Sequence, residues 1–214
     1  MARKKQTARI LQLKIALDDS CPVVWRRFLV REDVTLLELH STIQTVMGWW
    51  DSHLHRFEIE KKGYWNGGEE SLDDIPDADV ETTVLRDVLK PSTKSFRYEY
   101  DFGDGWCHTV TIEKTLEAEE LDGSVPRCLA GANACPPEDV GGLPGFEEFK
   151  KAMAEPGTDA HREHLQWNGT DFQATTFCPN LVNREIRHLM MFDWREKPKS
   201  RKGTMIHGDP YRGK

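Results

Sequence analysis

Leu11, Leu13, Ile15 and Leu17 alternate with Gln12, Lys14 and Ala16, and a period of two is the pattern of an extended strand that buries one face. Asp18 to Pro22 reads as a turn, and residues 23–30, rich in β-branched and aromatic side chains, read as a returning strand. The pair is expected to form an antiparallel hairpin. Thr35 stands three residues before Glu38 as in a capping box, and Leu36, Leu39, Ile43, Val46 and Met47 follow at helical spacing until Gly48 offers a stop. That helix is the most clearly signalled in the chain.

Leu54 to Glu60 is a third predicted strand, with His55, Phe57 and Ile59 on one side. Residues 61–81 are rich in acids and poor in apolar side chains, and read as a solvated loop. A short helix through Leu89, capped by Thr82 or Thr83, is ended by Pro91. Ser95–Tyr100 and His108–Lys114 alternate as strands around the turn Asp101-Phe102-Gly103-Asp104-Gly105-Trp106. Residues 117–145 lack a periodic apolar pattern and read as one long loop, a length that usually accompanies function. Helices are predicted over 146–154, 160–167 and about 180–192, with Pro179 suited to a first helical turn. Strands come first and helices last, which favours α+β over a doubly wound fold. The expectation is a single-domain roll over residues 10–194, with a mixed or mainly antiparallel sheet, an N-terminal ββαβ unit and C-terminal helices.

Charge is unevenly spread along the chain. The first nine residues carry four basic groups and no acid, and residues 195–214 carry seven basic and two acidic, which leaves 18 basic and 34 acidic between 10 and 194. A body at −16 disfavours a broad nucleic-acid-binding face. A nucleic-acid partner would be held through the basic tails at 1–9 and 195–214, where Arg195, Lys197, Lys199, Arg201 and Lys202 lie close together. No apolar run reaches the roughly 18 residues of a membrane span, so a cytoplasmic protein with no membrane partner is expected. Five cysteines at irregular spacing fit reduced thiols or a metal site better than a disulfide framework.

Three groups of residues carry chemistry. His53 and His55 are two apart, and on a strand both would face one metal ion or anion. Asp101, Asp104 and His108 surround the glycine-rich turn, where carboxylates serve either a cation or the turn's own amides. Cys128 and Cys135, followed by Pro136, Pro137, Glu138 and Asp139, are too far apart for a zinc knuckle. A zinc site built from Cys128, Cys135, Cys107 and His108 would have to assemble across the fold, against the alternative of reduced cysteines that pack a loop. Zinc or another divalent cation is the cofactor such donors would take.

Val24-Trp25-Arg26-Arg27, Gly48-Trp49 with Ser52-His53-Leu54-His55-Arg56-Phe57, Tyr98 to Trp106 with His108, and Cys128-Leu-Ala-Gly131 with Ala134 to Asp139 occur in order. In these motifs the chain resembles the plasmid pRi Orf-three-like family, whose members include an insertion-sequence passenger protein labelled a resolvase. The resemblance spans about residues 10–190 and implies a compact α+β roll without implying a reaction. The resemblance implies a further cysteine where this chain has Val140, and its absence weakens a zinc site that would use it. The activated serine in an arginine-rich pocket that a serine recombinase needs is not legible here.

The leading expectation is an accessory or binding protein of mobile-element origin, whose ligand meets His53, His55, Asp101, Asp104, Trp106, His108, Glu138 and Asp139 at strand ends and loops. The rival is a metal-dependent hydrolase or nuclease in which His53, His55, Asp101, Asp104 and His108 hold a cation that activates water.

Overall fold

The computed structural model describes residues 8–65, 79–117 and 124–191. The basic stretches 1–7 and 195–214, most of the acidic loop and the end of the last predicted helix lie outside the described residues, and with them the tail-mediated contact to nucleic acid.

The N-terminal alternation forms β1 (Ile10–Leu17), which pairs antiparallel with β2 (Trp25–Arg31) from Ile10↔Arg31 to Ala16↔Trp25. α1 (Leu36–Met47) opens with both halves of the capping box, as Thr35 accepts from the Glu38 amide and Glu38 accepts from the Thr35 amide. It closes on Gly48 at φ +106°, whose N–H reaches Gln44 O, and a residue with a Cβ adopts that angle only under strain. β3 (His55–Ile59), β4 (Lys62–Trp65), β5 (Ser95–Tyr100), β6 (Trp106–Leu116) and β7 (Arg127–Ala132) complete one seven-stranded sheet, in the order β4-β3-β5-β6-β1-β2-β7. All its pairings are antiparallel, which resolves the mixed alternative. α2 (Leu85–Val88) lies between β4 and β5, and α3 (Gly142–Met153), α4 (Asp159–Asn168) and α5 (Pro179–Met191) follow the sheet as an α+β architecture requires.

One face of the sheet is dry. Leu13, Ile15, Phe28, Phe57, Tyr98 and Val110 join Leu36, Leu39, Ile43 and Val46 of α1, Phe146 and Phe149 of α3 and Ile186 of α5 in a single core. Each such buried apolar side chain contributes about 1.5–3 kcal/mol relative to exposure. The other face is polar, and there Arg27 and Gln12 both donate to Glu113. Antiparallel sheets with one wetted face are common.

Two strands depart from the sequence reading. β7 lies inside the supposed loop 117–145, because its residues Arg-Cys-Leu-Ala-Gly-Ala are too small and unpatterned to announce a strand, and pairing with β2 creates it. Asn183 of α5 covers part of its outer edge by accepting from Cys128 N and donating to Cys128 O, both at 2.8 Å. β4 lies at the start of the acidic segment and pairs with β3. α2 is only one turn long and has no side-chain cap; Thr83 instead donates to Asp79 O, and the amides of Leu85 and Arg86 bond Val34 O and Glu32 O.

Candidate metal centre

β5 and β6 are joined by the turn at 101–105, in which Asp101 takes φ +54° and Gly105 φ +68°. Asp101 Oδ1 accepts from the amides of Gly103 at 3.0 Å and Asp104 at 3.3 Å, as a turn-forming aspartate does. That leaves Oδ2 to point elsewhere. The Asp101 amide bonds Leu54 O, which ties the turn to the segment that enters β3.

The loop after β7 is fastened to the same place by three bonds. Trp49 Nε1 donates to Pro136 O at 3.1 Å, Tyr100 Oη donates to Glu138 Oε1 at 2.9 Å, and the Gly141 amide donates to Asp104 Oδ2 at 3.1 Å. Gly142, at φ +66°, lies so close that a Cβ there would sit 2.7 Å from Asp104 O. Glu138 Oε1 also accepts from the Trp50 amide at 3.0 Å. Thus the 51–55, 101–108 and 128–139 groups do meet.

They converge on His53. Its Nε2 lies 3.1 Å from Asp139 Oδ1, 3.6 Å from Asp101 Oδ2 and 3.9 Å from Glu138 Oε2. His53 Nε2 and Glu138 Oε2 are nevertheless buried atoms with no hydrogen-bond partner among the described residues, because proximity to the carboxylates is not matched by bonding direction. A cation about 2.1 Å from each donor would space neighbouring donors by about 3.0 Å in an octahedron or about 3.4 Å in a tetrahedron. Donor atoms of His53, Asp101 and Asp139 all lie within 4.8 Å of one another. Asp101 and Glu138 each use one oxygen as an anchor and leave the other free, which is how outer hydrogen bonds orient metal ligands. Three carboxylates about one imidazole are a concentration of negative charge that a divalent cation would neutralise.

His55 belongs to a different, inner group. β3 begins at His55, so His53 precedes the strand and the alternation that would place both on one ion does not apply. The His55 ring instead stacks on His40 of α1, with centroids 3.4 Å apart and planes inclined by 8°. His40 Nδ1 lies 2.8 Å from Tyr98 Oη and its Nε2 2.7 Å from Asp51 Oδ1. Gln44 donates to Tyr98 Oη, and its own oxygen accepts from the Asp51 amide. With Tyr98 donating to Nδ1 and Nε2–H donating to Asp51, each polar contact of the His40 ring has one donor and one acceptor. Burial, and then the neighbouring His40, push the His55 pKa down to about 3, so the His55 ring is uncharged at neutral pH. Donors of His40, Asp51 and His55 also lie within 4.8 Å of one another. Parallel rings, however, keep their lone pairs in separate planes and make a poor chelate.

Of the remaining expected residues, Asp104 is a clamp for Gly141, while Trp106 and His108 are wholly buried beneath the site. Trp106 pairs with Tyr100 and His108 with Tyr98 across the β5–β6 ladder. His108 Nδ1 lies 3.3 Å from Tyr98 O. Cys128, Cys135, Cys107 and His108 do not form one of the converging donor groups among the described residues. Cys107 and His108 are consecutive on β6 and therefore face opposite sides of the sheet. Cys128 and Cys135 lie by the Arg26 guanidinium; burial pushes the Cys128 thiol up to about 11 and the Cys135 thiol well above its ordinary range. Neither donor group that converges among the described residues contains a cysteine.

Arg26, His40, Gln44, Tyr98 and Tyr100 have structural roles here that the sequence reading did not assign. Arg26, 2% exposed on the dry face of β2, donates to Val46 O, Trp25 O and Ala132 O and so closes the end of α1. His40 and Gln44, spaced i and i+4 on an otherwise apolar helix face, were the available signal for the inner group.

The fold and this site define an α+β protein in which a sheet-end turn and a glycine-hinged loop hold carboxylates around one imidazole. The chain belongs to the plasmid pRiA4b ORF-3-like protein family, whose model matches residues 9–183. It is 38% identical over 183 residues to the uncharacterized protein y4hQ of Sinorhizobium fredii, covering 85% of this chain and 93% of that one. The crystal structure of the protein of unknown function MM3350 from Methanosarcina mazei is similar at a TM-score of 0.73 and 33% identity, covering 83% of this chain and 99% of that one. Among the described residues no helix is long and apolar enough to cross a membrane.

Proposed function

We propose that the protein is a binding protein whose ligand is a divalent cation of the zinc or manganese type, held by His53, Asp101 and Asp139 with Glu138 beside them. The observation that carries this reading is the convergence of His53, Asp101 and Asp139, whose donor atoms lie within 4.8 Å of one another, while the other oxygen of Asp101 is anchored by the turn amides. One imidazole with several carboxylates suits borderline cations better than calcium, which takes oxygen donors throughout. An accessory role on a mobile element is part of the proposal and is supported by the plasmid in the family's name.

Calorimetric titration of the metal-stripped full chain with Zn²⁺ and Mn²⁺ tests the reading. One site per chain is expected, with affinity reduced at least tenfold in H53A and D101N. Binding that is absent, or unchanged in both folded variants, would refute it.

A further inference from the structure

Resting on the cation reading, we propose that the bound ion activates water to hydrolyse a neutral carboxylic ester or amide with an apolar group, and that Glu138 is the general base. Three protein donors leave coordination positions open, which is the pattern of catalytic rather than structural zinc. The Asp139 side chain is 71% exposed, so the opening faces solvent. Glu138 is separate from the three donors that meet most closely. Its Oε1 is fixed by Tyr100 and the Trp50 amide, and its Oε2, 3.9 Å from His53 Nε2, is buried and free of hydrogen bonds among the described residues. A fixed carboxylate with one free oxygen next to a metal site is placed to accept a proton from water on the ion.

Charge selects the substrate class. A cation held here would stand among the three carboxyl groups of Asp101, Glu138 and Asp139, within an acidic body. A phosphodiester would be repelled, whereas an uncharged carbonyl compound would not. The rim adds a preference: Trp50 and Leu54 are 78% and 54% exposed, and their backbones bond Glu138 Oε1 and the Asp101 amide directly. Two exposed apolar side chains so tied to the site suit an acyl or leaving group of apolar character.

In the step, water on the ion gives a proton to Glu138 Oε2, and its oxygen forms a bond to the carbonyl carbon. The carbon–oxygen or carbon–nitrogen bond then breaks with its electron pair going to the leaving group, which takes the proton from Glu138. The products are a carboxylic acid and an alcohol or amine, so water is the only co-reactant.

The test uses the full chain loaded with Zn²⁺ or Mn²⁺, 4-nitrophenyl acetate, butyrate and octanoate, and bis(4-nitrophenyl) phosphate, with metal content measured in every sample. Metal-dependent ester hydrolysis that rises with acyl length and exceeds phosphodiester hydrolysis at least tenfold is expected. E138Q should keep its metal and lose about 100-fold or more in kcat, and W50A should raise KM for the octanoate with metal retained. A stoichiometrically loaded protein that hydrolyses no ester above the H53A background would overturn this inference and leave cation binding standing. Faster phosphodiester hydrolysis would overturn the substrate class, and an E138Q variant with full activity would overturn the role of Glu138. A chain that takes up no metal would remove both readings together.

Discussion

The Tyr100 hydroxyl donates to Glu138 Oε1 at 2.9 Å and accepts from the Ser52 amide at 3.0 Å, so one phenol joins the end of β5, the approach to β3 and the loop after β7. Burial, and then the Glu138 carboxylate, push its pKa up, which keeps it a donor at every working pH. Y100F removes that link without removing a proposed ligand. It should lower stability by about 1 kcal/mol and weaken the binding of Zn²⁺ about tenfold or more, read by urea denaturation of the stripped protein and by calorimetry. Unchanged affinity would mean that the link from Tyr100 to the Ser52 amide does not position His53 for the ion.

Gly142 permits the close approach of the second loop to the hairpin turn. G142A places a Cβ 2.7 Å from Asp104 O at φ +66°, and strain with displacement should cost about 2 kcal/mol. Metal affinity should fall as well, because Asp139 and Glu138 move with the loop. Denaturation and titration of the one variant check both effects.

His108 sets a pH dependence away from the proposed ligands. Burial pushes its pKa from 6.5 down to about 4. The unfolded chain therefore binds this proton more readily between those values, so stability is complete above pH 6.5 and falls as pH drops toward 4. The full contribution is about 3 kcal/mol. H108F removes the titration, and its plot of unfolding free energy against pH should be flatter than that of the parent protein across this range. Equal slopes would contradict the assignment.

Local pattern carried much of this architecture into the sequence. The alternation at 11–17 and the box from Thr35 to Glu38 appear as β1 and α1 because each is decided within a few residues of chain. The separation of strands from helices foretold the α+β class, and positions 53, 101, 138 and 139 were visible as polar residues of sheet-end loops. Register was not legible. Nothing local says that His55 pairs with Tyr100 while His53 precedes the strand, yet this separates one expected histidine pair into two groups. β7 was hidden for a related reason, since Arg127–Ala132 becomes a strand through β2 and the Asn183 cover rather than through its own composition. Parity separates Cys107 from His108 in the same way, because neighbours on a strand face apart.

X-ray absorption spectroscopy of the zinc-loaded full chain reports which elements surround the ion, and so whether His53, Asp101 and Asp139 hold it. A first shell of nitrogen and oxygen scatterers at about 2.0–2.2 Å is expected, with one imidazole and no sulfur. A sulfur shell at about 2.3 Å would place the ion among the cysteines and contradict that assignment.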